Sequence, residues 1–187
     1  MIRLDSPSFA FNSVDVPGPT YHLWHTLEGP KGFNTTMLVN KILSINKMAK
    51  EMKGSQLRNI VINSHGWDGG GGISIGGIGN YDASIKGASV SEFAKLKGEN
   101  LGTIWLIACQ AAHGPSGKAL CSAIAKHSGC QVVAGEDDQE VGIWGGWRLF
   151  TSVFDNIDEF EGLVYAFTPV GGIRIIDPHE DIYTILD

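Results

Sequence analysis

Asn59-Ile60-Val61-Ile62-Asn63-Ser64-His65-Gly66 is an apolar run that delivers a histidine followed by a glycine. Thr103-Ile104-Trp105-Leu106-Ile107-Ala108-Cys109-Gln110 is a second such run, and it delivers a cysteine. Each has the length and β-branched content of a strand buried on both faces. As parallel neighbours the two would bring His65 and Cys109 out at one sheet edge, where open α/β folds place their sites. A free thiol has a pKa of about 8.5 and needs a nearby base to act as a nucleophile at neutral pH. The two exits therefore predict acyl-transfer chemistry, with Cys109 as nucleophile and His65 as its base.

Working outward, the pattern alternates strand and helix. Residues 1–20, with Pro7, Pro17 and Pro19, read as an irregular arm, and residues 21–187 as a single domain. Tyr21 to Leu27 reads as a first strand. Asn34, Thr35 or Thr36 can cap the helix that follows, whose stripe is Met37, Leu38, Ile42, Ile45, Met48 and Met52; Gly54 ends it. The glycines from Gly69 to Gly72 read as a turn before a short strand. Ser89 or Ser91 can cap a short helix that Gly98 ends. Pro115 or Ser116 opens another helix, and Gly129 stops it. Cys130 to Ala134 reads as a further buried strand that exits into the acidic loop Glu136-Asp137-Asp138-Gln139-Glu140. Leu163–Phe167 and Ile173–Ile176 read as a C-terminal hairpin. The alternation argues for a mostly parallel central sheet flanked by helices.

Composition bounds the function. In 187 residues, 43% are hydrophobic and 18% charged, which is a globular balance with enough chain for one sizeable core. The net charge of −6, without a Lys/Arg-rich run, disfavours nucleic acid and anionic lipid as partners. The N-terminus lacks a signal-peptide core, and no apolar stretch is long enough to span a bilayer, so a cytoplasmic location is expected. A protein exported by a signal-independent route would look the same. Three cysteines, Cys109, Cys121 and Cys130, do not make a disulfide framework.

In this order, the Ser64-His65-Gly66 exit, glycine-rich turn, helix and Ala108-Cys109-Gln110 exit resemble the caspase-like clan of cysteine peptidases. The closest likeness is to its CHAT-type bacterial proteases and the related short domains of large bacterial proteins. The gap from His65 to Cys109 is near the roughly 50 residues of caspases, although Ile107 and Ala111 depart from the caspase cysteine motif. The resemblance covers residues 57–150. It implies an α/β three-layer sandwich and a His-Cys dyad that cleaves peptide bonds through a thioester. It also implies an oxyanion hole formed by the backbone N–H groups of Cys109 and Gly66. A third catalytic side chain is often absent in the clan. In relatives that cut after arginine or lysine, an acidic residue sits beyond the strand after the nucleophile; here Glu136, Asp137 and Asp138 occupy that loop. The implied partner is a protein or peptide substrate, alongside a regulatory partner or a larger parent protein, with no cofactor.

Other readings compete. The same fold could be a catalytically silent interaction or toxin module, or a thiol-dependent acyltransferase. A zinc site assembled from Cys109, His113, Cys121, His127 and Cys130 lacks the usual paired spacing. Gly114-Pro115-Ser116-Gly117-Lys118 fails as a phosphate loop, since Ala112 and Ala119 replace the required residues. The Trp144–Phe150 cluster reads as core packing or a wall of the substrate groove.

Overall fold

Crossovers that step the same way along a sheet place their helices on the same face, and this decides the layering. The computed structural model describes residues 1–16, 19–139 and 153–179. Its strands are β1 (Ile2–Arg3), β2 (Ser8–Ser13), β3 (Tyr21–His22), β4 (His25–Gly29), β5 (Asn59–Asn63), β6 (His65–Gly66) and β7 (Ile73–Ser74). They continue with β8 (Thr103–Ile107), β9 (Val132–Gly135), β10 (Val153–Phe154), β11 (Asn156–Ile157), β12 (Val164–Phe167) and β13 (Ile173–Ile175). Two α-helices, α1 (Thr35–Lys53) and α2 (Gly114–Ser128), and a 3-10 stretch over Gly87–Leu96 complete the main elements. Seven strands form one sheet in the order β13-β12-β9-β8-β5-β2-β4. The run from β4 to β9 is parallel, and β12 and β13 add an antiparallel edge.

From β4 through β5 and β8 to β9 the chain always steps toward the same edge. Right-handed crossovers then lay α1, the 3-10 stretch and α2 on one face. There Leu38, Ile42 and Ile45 of α1, Phe93, and Leu120 and Ile124 of α2 pack on Phe9, Phe11, Ile60, Ile62, Ile104 and Leu106. The opposite face exposes Ala10, Val61, Trp105 and Val133 to a cover of Ile2, Leu4, Tyr21, Leu23, Ile157 and Phe160. The expectation of a sheet flanked by helices is corrected accordingly. Among the described residues one outer layer is helical, and the other is built from short strands and loops. The connection from β2 to β4 steps the opposite way, which is why Tyr21 and Leu23 lie on that second face.

The irregular arm assigned to residues 1–20 is also corrected. Ser8–Ser13 is an interior strand next to the edge strand β4, buried along its whole length and pairing in parallel with both β4 and β5. Phe9 and Phe11 face the helices while Ala10 and Asn12 face the other side. The single strand expected over Tyr21–Leu27 is two strands, of which only β4 joins the main sheet.

The helix signals act as expected. The Asn34 side chain accepts from the Met37 N–H at 3.0 Å, and Gly54 and Gly129 take the left-handed conformation after α1 and α2. Met37 and Met52 are exposed, so the buried stripe of α1 is narrower than the apolar pattern suggested. Leu163 lies just before β12, and the hairpin of β12 and β13 is antiparallel.

At the amino end of β8, Gly102 sits against Arg58. An added Cβ would collide with the Arg58 carbonyl, 2.7 Å from its carbon. Gly102→Ala should therefore cost about 2 kcal/mol or more. That corresponds to a fall of roughly 4–8 °C in the thermal midpoint, read by circular dichroism, with the opposite edge of the sheet untouched.

Candidate functional site

Because β4 and β5 lie on opposite sides of β2, the strand order reverses between β2 and β5. The crevice beyond the carboxyl ends of strands at such a point is where α/β folds bind ligands. The β5–β8 ladder continues one step past β5, with the Ser64 N–H donating to the carbonyl of Ile107, the last residue of β8, at 3.0 Å. The next residues are His65-Gly66 on one chain and Ala108-Cys109 on the other. They are pressed together at Gly66: a Cβ there would overlap the Cys109 carbonyl oxygen and lie 2.7 Å from its carbon and 3.1 Å from its nitrogen. Only glycine allows this approach.

His65 and Cys109 are both half-buried and line the same cleft, a small cavity of about 70 Å³. Its walls include Tyr21, Asn63, Ser64, Gln139, Asp158 and Glu161. The His65 ring is fixed by Nε2, which lies 2.6 Å from the Asp15 carbonyl oxygen. A carbonyl can only accept, so Nε2 carries the proton and Nδ1 is the nitrogen left for other work. The Cys109 Sγ lies 3.9 Å from the Gln139 carbonyl. Gln110, immediately after the cysteine, sits in the left-handed region at φ 53°. Three bonds hold it there. Its N–H donates to the Asp137 carbonyl at 3.0 Å, its Oε1 accepts from the Gly69 N–H at 2.7 Å, and its Nε2 donates to Asp138 at 3.0 Å. Cys109 is thus clamped between the glycine turn and the acidic loop.

The Gly66 and Cys109 backbone N–H groups are not used by the β6–β7 ladder. The Trp67 N–H donates to the Gly72 carbonyl, which makes Gly66 and Ile73 a non-hydrogen-bonded pair of β6 and β7. The Gly66 N–H therefore points away from β7. The Cys109 N–H has no acceptor among the described residues.

The acidic residues divide differently from expectation. Glu136 shares the helix-facing parity of Val132 and Ala134, so its carboxylate meets Lys118 at 3.3 Å and the Tyr165 hydroxyl, which donates at 2.9 Å. The Tyr165 hydrogen bond is the largest influence holding the Glu136 carboxyl below the usual carboxylate range. Asp137 and Asp138 line a neighbouring depression with Gln110, His113, Glu161 and Gly162, not the cleft of Cys109. The carboxylates in the cleft are Asp158, Glu159 and Glu161. Glu159 is engaged by the Met1 amine at 2.7 Å and by His179 at 3.4 Å, and Asp158 accepts from the Tyr21 hydroxyl at 3.5 Å. Burial, and then the Asp158 charge, push the Tyr21 phenol above its ordinary range. Ser64 Oγ is buried without a hydrogen-bond partner among the described residues.

Cys121 and Cys130 are core residues, and burial pushes both thiols up, Cys130 to about 11. Among the described residues no group of three or more His, Cys, Asp or Glu is placed to hold a metal ion. No helix among them is long and apolar enough to cross a membrane. Glu140 and the Trp144–Phe150 cluster lie outside the described residues.

A family model described as a domain of unknown function, DUF4347, matches residues 21–159. The chain belongs to the DUF4347 family. A comparison with curated proteins finds no match. The DUF4347 span takes in His65, Gly66, Cys109 and Asp158, and begins after β2. Strand β2, which separates β4 from β5 in this DUF4347 sheet, and the Asp15 carbonyl therefore come from residues outside the matched region.

Proposed function

We propose that this chain is a cysteine endopeptidase working through a His65–Cys109 dyad on a caspase-like fold. The observation that carries the reading is the convergence of the two strand exits on one cleft, with Gly66 packed on the Cys109 backbone. In the proposed cycle the Cys109 sulfur attacks the scissile carbonyl carbon, forming a C–S bond, while His65 takes the thiol proton. The tetrahedral oxyanion is held by the Cys109 and Gly66 N–H groups. Its collapse breaks the C–N bond, and His65 protonates the leaving amine. Water, deprotonated by His65, then hydrolyses the thioester and returns the thiol. The Asp15 carbonyl orients His65, the task a third catalytic side chain performs elsewhere.

The cleft favours a basic side chain on the amino side of the scissile bond. Asp158 and Glu161 supply negative charge that a guanidinium or ammonium would meet. This moves the recognition role from the Glu136–Asp138 loop to Asp158 and Glu161. Profiling with a peptide library should give cleavage after arginine or lysine. Asp158→Asn and Glu161→Gln should each lower kcat/KM for such peptides by roughly tenfold. A preference for leucine or aspartate at that position would overturn the basic specificity. Turnover of esters without peptide cleavage would instead identify a thiol acyltransferase or hydrolase. Absence of any turnover, with Cys109 labelled no faster than a free thiol, would leave the silent interaction module.

A further inference from the structure

Asn12, next to last in β2, and Asn63, last in β5, are direct register partners across the parallel pair. Both point to the face away from the helices, at the switch point of the sheet, and both are almost wholly buried, at 0% and 3% exposure. Their amides form a ladder. Asn63 Nδ2 donates to Asn12 Oδ1 at 2.9 Å and to the Pro19 carbonyl at 3.0 Å. Asn12 Oδ1 also accepts from the Tyr21 N–H at 3.0 Å, while Asn12 Nδ2 donates to the Tyr21 carbonyl at 3.1 Å and to Glu28 at 3.2 Å. The Asn12 amide therefore serves Tyr21 as a strand neighbour would, and Asn63 holds the carbonyl two residues earlier. Asp15, three positions beyond Asn12, adopts φ 69° and offers its carbonyl to His65.

We propose that Asn12 and Asn63 are positioning residues whose amide ladder anchors the β2–β3 connection, so that the Asp15 carbonyl holds His65 in its Nε2–H tautomer. Their catalytic relevance rests on the peptidase reading above. Burying two amides in a sheet core is costly unless every polar atom is used. An apolar pair at these positions would fill the core as well. What it would lack is the grip on Pro19 and Tyr21.

Asn59 supplies the control. It lies on the same strand and face, is also buried, and bonds to the Trp105 indole N–H at 2.9 Å and to the Asp5 carbonyl at 3.0 Å, at the far end from His65. Asn63→Ala, the milder Asn63→Ser, and Asn59→Ala are compared by nitrogen-15 NMR of the His65 ring, assigned with His65→Gln, and by the pH profile of iodoacetamide labelling at Cys109. The expected result is loss of the dominant Nε2–H signature in the Asn63 variants. Their labelling should slow roughly tenfold to 100-fold, with Asn63→Ser between Asn63→Ala and wild type. Asn59→Ala should lose stability yet keep the tautomer and the profile. An unchanged His65 tautomer in either folded Asn63 variant would overturn the proposal, as would the same change in Asn59→Ala. The ring measurement needs no substrate, so it stands or falls separately from peptide cleavage.

Discussion

Cys109→Ala should reduce peptide hydrolysis to background, a loss on the order of 10⁴-fold or more, because removing a covalent nucleophile removes the whole thioester route. Iodoacetamide at neutral pH should modify Cys109 alone in the folded protein. Cys121 is fully buried and Cys130 is 2% exposed, and burial disfavours the thiolate at both. With the Cys130 thiol pushed up to about 11, only about one molecule in 10⁴ carries that thiolate at pH 7. Cys109 is half-buried in the cleft, where a reagent can reach it. His65→Gln should slow the labelling of Cys109 by about tenfold or more while leaving the thermal midpoint nearly unchanged, since base assistance typically contributes at least that factor. Mass spectrometry of tryptic peptides reads out both. Equal labelling of Cys109 in wild type and His65→Gln would separate the two side chains functionally and end the dyad reading.

The two side chains proposed for that dyad could be singled out in the sequence because thiol and imidazole chemistry is carried by residue identity. The two strands that deliver them were legible too, since runs such as Ile60-Val61-Ile62 and Ile104-Trp105-Leu106-Ile107 have no polar face to offer solvent. Their register followed the strand ends, with Asn63 opposite Ile107. Strand β2 was hidden for the opposite reason. Ser8-Phe9-Ala10-Phe11-Asn12-Ser13 alternates apolar with small or polar residues between prolines, which reads as an arm. Yet the polar members are buried as hydrogen-bonding partners of Asn59, Asn63, Tyr21 and Ser74. Without β2 in the sheet, the direction of each crossover was unknown, and so was the face that the helices cover.

The missing parts of the site follow the same logic. Every residue has a carbonyl, so nothing in the Asp15 side chain announces that its backbone would orient His65. Asp158 and Glu161 lie far along the chain from Cys109. They reach the cleft because Ile2 and Arg3 of β1 pair with Ile157 and Asn156 of β11, a contact between the chain's start and its last third. Glu136, by contrast, stood in the expected loop but on the wrong side of the strand, as period-two alternation dictates.

Gly66→Ala is the sharper test of how the two exits cooperate. The added methyl must displace the Cys109 carbonyl, which is backbone and cannot swing aside as a flexible side chain would. Relief requires β6 to move away from the loop after β8. Such a shift carries the Gly66 donor and the His65 backbone away from the Cys109 donor. The stability cost should be about 2 kcal/mol or more, comparable to Gly102→Ala, where a Cβ likewise meets a carbonyl. The functional costs should diverge. Gly102 lies at the amino end of β8 and its variant should keep wild-type turnover wherever it remains folded. Gly66→Ala should lose about 100-fold or more in kcat, because donors displaced by an ångström no longer meet the developing oxyanion. Matching the two variants for stability by circular dichroism and then comparing kcat separates packing from catalysis. Equal turnover in the pair would mean that the Gly66–Cys109 contact serves the fold alone, and the oxyanion assignment would have to be given up.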